Sequence, residues 1–531
     1  MSRRLAHGVA GGAVLIGALT ILARVTGFAK QYVFAHTVGT QCLSSAYFTA
    51  NQIPNIVFEV VAGGALAGMV VPVLAGATRE HASRVGSALL TWVLVALVPP
   101  AVLIAVLAGP ITSLFFTDVL GTCDVETVSA VSARMLAVFA PQIPLYGVAV
   151  VLYGVLQAHH RFAAPALAPL VSSIVVIVAY LVFVPVSGGG NEPSLPLTAG
   201  ELVLSVGTSL GVLALVLTVL GPAARLGLRW RPTLRFPDGV GVQVRRLASA
   251  GMAGLLAQQA AMIVVLVLAN RMGGGAIATY NYAWAIYLVP YAVLAVPIAT
   301  SAFPRLSAAG DRGEFAALSA GGARAVVLVS GLAAGVLAAV AEPGAALFLD
   351  ENTDVPPVEL ARTIALFAPG LVGYGLIAHL SRVLYALGRG RAAAAGVVAG
   401  WLVAAVAQAG FALALPDAWK IAGLALGMSV GMTVGGMVLL VAVVRVRGGA
   451  AVAGLWRAGA AALAGGGAAF LVGAAVVAVI RPVGTWAELS AIALGGVLAL
   501  AAGVLVAVLV DRPDARALAA RFRRGARSDG V

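Results

Sequence analysis

This sequence has little charge. Only 10% of its 531 residues are Asp, Glu, Lys or Arg, against 61% hydrophobic, and the mean hydropathy is +1.02. An ordinary soluble domain is about one quarter charged, so the composition excludes that class and describes a polytopic membrane protein. Acids number 20 against 33 bases, and lysine is reduced to Lys30 and Lys420, an arginine bias typical of a GC-rich genome. The net charge of +13 does not signal nucleic acid. No basic run is interleaved with exposed aromatics, and the arginines sit in short loops between apolar stretches, where the positive-inside rule puts them. Enzyme signatures are short too. There is no P-loop, no HExxH and no acidic pair on an outer loop, so no enzymatic activity, cofactor or resident metal is expected. His159-His160 reads as a polar loop pair. Only two cysteines occur, Cys42 and Cys123, both in loops assigned to the oxidising exterior, which leaves an exterior disulfide or two free thiols open.

What the chain does have is apolar windows of about 20 residues, the length that spans a bilayer. Fourteen are expected, with cores near 8–35, 44–76, 86–108, 129–157, 163–185, 200–221, 247–269, 277–303, 323–348, 360–387, 392–415, 421–444, 452–479 and 487–510. The basic N-terminus followed by an apolar run reads as a retained first span, since no small-residue cleavage pattern follows. Placing both termini in the cytoplasm puts most Lys and Arg inside, including Arg79, Arg84, Arg225, Arg229, Arg231, Arg235, Arg305, Arg312, Arg389 and Arg391. Asp118, Asp124, Glu126, Glu192, Asp350, Glu351, Asp354 and Asp417 then lie outside.

An internal repeat crosses the longest loop. Ala133-Arg134, LAVFAP and Tyr146-Gly147 recur at constant offset as Ala361-Arg362, IALFAP and Tyr374-Gly375, so span four resembles span ten. The organisation expected is an all-α, two-lobed membrane protein: a six-helix lobe at 1–222, a basic cytoplasmic linker at 223–246, a second six-helix lobe at 247–447, two further spans at 448–510 and a basic cytoplasmic tail at 511–531. Six is an even number, so both lobes share one orientation and face a cavity between them. Prolines at 54, 72, 141, 144, 290, 297 and 369 fall inside spans, where each removes a helical hydrogen bond.

The candidate site follows from charges in the wrong solvent. A charge near the bilayer centre costs at least ~2.5–3.5 kcal/mol, so Arg24, Lys30 and Glu59 in the first two spans imply a polar, net positive cavity and an anionic cargo. Arg24 and Lys30 point about 120° apart on a helix, so they can flank one cavity but need not touch one ligand. Glu59 is the acid deep in a span, available to neutralise a cation or to exchange a proton, and Asn55 with Gln52 adds hydrogen-bonding capacity. Arg134 and Arg362 are interfacial anchors or gate residues. His379 and Arg382 in span ten, and Asn281 and Trp284 in span eight, are further candidates for cavity lining, with packing as the alternative.

The motif ARVTGFAK, the stretch AYFTANQIPNIVFEVVAGGALAGMVVPVL and the span-eight run VPYAVLAVPIATSAFPRLS resemble the MurJ/MviN lipid II flippases of the multidrug/oligosaccharidyl-lipid/polysaccharide exporter superfamily. The resemblance implies alternating-access translocation of an anionic polyprenyl-diphosphate-linked glycan to the outer leaflet of the bacterial plasma membrane, in cell-wall biosynthesis, with other wall-synthesis proteins as partners. Coupling would be to a proton, another ion or the membrane potential. Arg24 matches the arginine of the family's SRVLGF-like motif, and Lys30 stands where a second arginine is usual. Ser45 replaces a common aspartate, Phe58 and Glu59 replace a basic pair, and Ala285 or a neighbour replaces an arginine. With the charged cavity thinned in this way, export of another polyprenyl-linked unit, drug/cation antiport and a non-transporting scaffold are the alternatives.

Overall fold

The computed structural model describes residues 2–60, 70–74, 78–116, 123–190, 192–236, 240–349 and 353–512. The basic tail from residue 513 onward, Asp118, Asp350 and Glu351 lie outside the described residues. Among them, eleven helices are long and apolar enough to cross a membrane, and a pair bent by 41° makes a twelfth. Span three is Arg79–Val106; span four is Val125–Phe139 with Gln142–Ala158; spans five and six are Ala163–Ser187 and Ala199–Ala224. Spans seven to nine are Val240–Asn270, Ala276–Ala308 and Arg312–Ala339. Span ten is Pro357–Phe367 with Gly370–Ala386, and spans eleven to fourteen are Gly390–Ala414, Asp417–Arg447, Leu455–Ile480 and Thr485–Val510. Helices Ser2–Thr37 and Cys42–Phe58 begin the first two spans of the sequence count. The protein is an all-α, multi-pass membrane protein.

Polar residues sit where helices need them. Thr78, Asp124, Thr198 and Asp311 cap spans three, four, six and nine, each accepting a first-turn N–H. By internal packing the chain divides into two compact units, Met1–Tyr282 with Glu351–Val355, and Ala283–Asp350 with Pro356–Val531. The division falls inside the span-eight helix, not at 223–246. Within the first unit the reason is visible at one end of spans one and two. Gly275 N–H donates to Ser45 Oγ (3.0 Å), Asn270 Nδ2 to Thr49 Oγ1 (2.8 Å), Tyr282 OH to the Gly39 carbonyl (2.8 Å) and Val355 N–H to Thr40 Oγ1 (3.3 Å). Gly275 has φ +80°, and a Cβ there would run into the Thr40 carbonyl, so this close approach needs glycine. Span seven is thereby tied to spans one and two.

The repeat has a structural counterpart inside each unit. Spans four and ten both break at an Ala-Pro pair, Ala140-Pro141 and Ala368-Pro369, because proline has no N–H to continue the ladder. A serine from a neighbouring span fills each gap. Ser429 of span twelve accepts from Gly370 N–H (3.1 Å) and donates to the Leu366 carbonyl (2.6 Å), standing between two groups that an unbroken helix would join directly. Ser209 of span six donates to the Val138 carbonyl (2.9 Å) and accepts from Gln142 Nε2 (3.0 Å). Val138 and Leu366 occupy equivalent places in the two FAP motifs. In the second unit, span thirteen packs on span nine through glycine: a Cβ on Gly335 would strike the Gly466 carbonyl, and one on Gly331 would come within 2.7 Å of Ala462.

The 223–246 linker is not a free loop over its described part. From Gly227 (φ +64°) to Phe236 it runs extended along span three. Arg229, Arg231 and Thr233 donate their N–H groups to Ser83, Ser87 and Thr91 at 3.1, 3.0 and 3.1 Å. Leu228, Trp230 and Phe236 join the apolar core formed by spans three and four.

Cys42, at the start of span two, and Cys123, just before span four, are joined in a disulfide with Cα atoms 5.7 Å apart. Two predictions follow from these contacts. Alkylation of unreduced, detergent-denatured protein should label no cysteine and reduction should expose both; labelling before reduction would remove the bridge. Ser429→Ala leaves the Leu366 carbonyl and Gly370 N–H without their partner and should destabilise by about 1–3 kcal/mol, Ser209→Ala by a similar amount. Thermal unfolding in detergent, followed by tryptophan fluorescence, checks both; an unchanged melting temperature would mean that the breaks are satisfied another way.

Candidate functional site

Spans one and two, joined by the short turn Val38–Gln41, meet beside it through an aromatic seal. Phe34 is fully buried, with its ring 4.9 Å from Tyr47, 4.8 Å from Phe48 and 5.0 Å from Tyr180. Tyr47 OH lies 2.7 Å from Tyr180 OH and 2.8 Å from Thr208 Oγ1, a charge-free network tying span two to spans five and six. Residues three or four apart share a helix face. Lys30 therefore lies one turn from Phe34 on the same face, and Gln52, Asn55 and Glu59 continue the face of Phe48. At 1.5 Å per residue, Arg24 lies about 15 Å along span one from Phe34, and Glu59 about 17 Å along span two from Phe48.

Arg24 is exposed and Lys30 half-buried, and neither has a hydrogen bond or ion pair among the described residues. Glu59 is exposed at the C-terminal end of Cys42–Phe58 and also forms no ion pair there. Asn55 Oδ1 accepts from Tyr146 OH at 3.4 Å, and the Tyr146 ring lies 4.3 Å from Phe58. Among the described residues Glu59 makes no contact with Arg24 or Lys30, so pairing and proton exchange both stay open for it. Two cations on span one and one acid on span two thus make no ion pair among the described residues. Ser45, where the resemblance led one to expect aspartate, is buried and accepts the Gly275 N–H with a neutral hydroxyl.

The remaining candidates are engaged. Arg134 Nε and Nη2 make a fork to Glu201 (2.9 and 2.7 Å), and its Nη groups also donate to the Leu195 and Ser194 carbonyls (3.1 and 2.8 Å). Arg362, its repeat equivalent, sits 4.5 Å over the Trp419 ring and donates to the Ala418 carbonyl (3.2 Å). Each arginine thus ties the start of its own span to the start of the span two further on. His379 is buried in the second unit with Nε2 3.0 Å from the Ser319 carbonyl, and Arg382 folds back on the Ala378 carbonyl (2.6 Å). Asn281 donates to the Ile277 carbonyl (2.8 Å). Trp284 packs on Tyr287 and Phe367, and Tyr291 stacks on Tyr374 at 4.0 Å, beside the π-helical turn Tyr291–Ala295.

Two motif-level signals need the structure. Gly427-Met428-Ser429-Val430-Gly431 has the GxSxG spacing of a hydrolase nucleophile, but it lies in the middle of span twelve with its hydroxyl bonded to Leu366 and Gly370. The hydroxyl ladder Ser83, Ser87 and Thr91 was legible only as small polar residues every four positions. At the far ends of the spans, the Thr127 hydroxyl and N–H hold the Asp124 carboxyl below its usual range. Partial burial, then nearby Glu192, push that of Asp354 up.

Comparison with known proteins agrees with this architecture. The family model described as lipid II flippase MurJ matches residues 34–495, a segment beginning just after Lys30. A lipid II flippase MurJ of Burkholderia cenocepacia is 28% identical over 388 residues, 70% of this chain and 72% of that protein. A solved structure of lipid II flippase MurJ in an inward closed conformation superposes with TM-score 0.73 at 18% identity, covering 95% of this chain and 99% of the other. An inward-facing MATE family multidrug transporter of the MOP superfamily gives TM-score 0.64 at 18% identity over 83% and 98%. Matched along most of its length and alike in fold, the chain belongs to the MurJ family.

Proposed function

We propose that this protein turns lipid II, the polyprenyl-diphosphate-linked disaccharide-pentapeptide, from the inner to the outer leaflet of the bacterial plasma membrane by alternating access, as a transporter and not an enzyme. The family match over 34–495 carries the cargo assignment. Arg24 and Lys30 lie upstream of that segment, so their role rests on their placement: cations on an apolar span with no counter-ion among the described residues. Each would cost ~2.5–3.5 kcal/mol facing lipid, and a diphosphate compensates both. Lysine offers a point charge where arginine offers a planar fork, so Arg24 fixes orientation and Lys30 supplies attraction. Asn55 gives hydrogen bonds to the headgroup, and Glu59 is the group we assign to exchange with a proton, with both termini on the cytoplasmic side.

Depleting the protein in its own host and measuring lipid II in each leaflet tests the cargo. Lipid II should accumulate and stay inaccessible from outside; normal arrival at the outer leaflet would sink the reading. Arg24→Ala should cut transport by about 10- to 100-fold, the worth of one charge-assisted contact. Lys30→Arg should retain activity and Lys30→Ala should lose it. A wild-type rate in Arg24→Ala would move the site elsewhere.

A further inference from the structure

The strap Gly227–Phe236 carries none of the candidate site residues, yet it is held at both ends and along its length. From Leu228 to Arg231 its residues alternate between covered and exposed. Leu228 is 7% exposed, and Trp230 lies over Gly86, where a Cβ would come within 3.1 Å of the indole. Arg229, Arg231 and Arg235 are exposed, as is Arg225 before them. None of these four guanidinium groups has a partner among the described residues; the acid Glu80 is already paired with Arg84 at 3.1 Å.

The hydroxyl ladder sets their position. Ser83, Ser87 and Thr91 repeat every four residues, about 6 Å along a helix, close to the ~6.6 Å two-residue repeat of an extended chain. Successive odd-numbered residues of the strap therefore dock on successive turns of span three. Arg79 Nε holds the start of the strap through the Gly227 carbonyl (3.1 Å), and Trp92 Nε1 holds its end through the Leu234 carbonyl (2.9 Å). The docking stops where span three becomes lipid-facing. Residues 82–89 are buried except Arg84, whereas Trp92, Leu94, Val95 and Val98 are 41–51% exposed. Leu234, 51% exposed, extends that apolar surface, and Arg235 follows it directly. An exposed indole whose N–H is satisfied, an exposed leucine and unpaired arginines in one line mark a membrane–water interface.

We propose that the strap is a binding surface for the phosphate headgroups of anionic phospholipid in the leaflet it faces. Arginine matches a phosphate with two parallel hydrogen bonds, and Arg229 and Arg231, two residues apart, with Arg235 four residues further on, are exposed along the strap. Continuity with the lipid-facing surface of span three favours a lipid over a soluble acidic protein. The inference rests on span three crossing the bilayer and not on the identity of the cargo.

The test uses full-length protein in non-ionic detergent, titrated with phosphatidylglycerol, with phosphatidylcholine of the same chains, and with inorganic phosphate, bound lipid being counted by native mass spectrometry. Phosphatidylglycerol should bind at least about tenfold more tightly than phosphatidylcholine, a preference that R229Q/R231Q/R235Q abolishes and R229K/R231K/R235K largely keeps. S83A/S87A/T91V, which frees the strap while keeping every arginine, should also weaken the preference and guards against misfolding of the glutamine variant. Equal retention of phosphatidylglycerol by wild type and the glutamine variant overturns the proposal. So does inorganic phosphate displacing the lipid at matching concentration, which assigns a free-phosphate site, or loss of a co-purifying acidic protein with lipid binding unchanged. No lipid II is present, so a failure of the transport reading leaves this result unaffected.

Discussion

Inside hydrocarbon a backbone N–H or C=O without a partner costs several kcal/mol, and no water is there to supply one. Among the described residues, several departures from continuous helix are met by a side-chain hydroxyl. Ser209 and Ser429 bridge the two Ala-Pro breaks. Thr40 and Ser45 receive the N–H groups of Val355 and Gly275 where the chain turns. Ser83, Ser87 and Thr91 receive three from the strap. Small hydroxyls do this because they fit between closely packed helices and both donate and accept.

The same economy governs charge. Arg134 is neutralised by Glu201 and two carbonyls, Arg362 is held by Trp419 and Ala418, and His379 by the Ser319 carbonyl. Each of these binds one element to another within its own unit. Arg24, Lys30 and Glu59 differ in making no such bond among the described residues, although they share spans one and two. Charged groups kept at a membrane span without a structural task are the ones left for chemistry.

Fold and cargo separate clearly here. At 18% identity the chain superposes both on a lipid II flippase and on a multidrug transporter, so the helix arrangement is compatible with different solutes. What distinguishes this chain must lie in the few polar groups mounted on that scaffold. Of its departures from the family pattern, Lys30, Ser45, Phe58 and Glu59 lie in spans one and two and that at Ala285 or a neighbour in span eight, and Ser45 still accepts a backbone N–H.

Apolar length determined the class and the spans, because a 20-residue hydrophobic run has one stable fate in a bilayer, and a recurring motif determined the resemblance of span four to span ten, because a repeated Ala-Pro break imposes the same interruption twice. Charge in apolar surroundings singled out Arg24, Lys30 and Glu59 before any coordinates. Contacts between distant residues were beyond sequence. Nothing in the periodicity paired Arg134 with Glu201, spaced Cys42 to meet Cys123, or laid the 227–236 strap on Ser83, Ser87 and Thr91. Those outcomes depend on which helix faces abut and at what depth. Packing decides that, since a serine or an arginine carries no mark of its partner until the backbone brings a free carbonyl within reach.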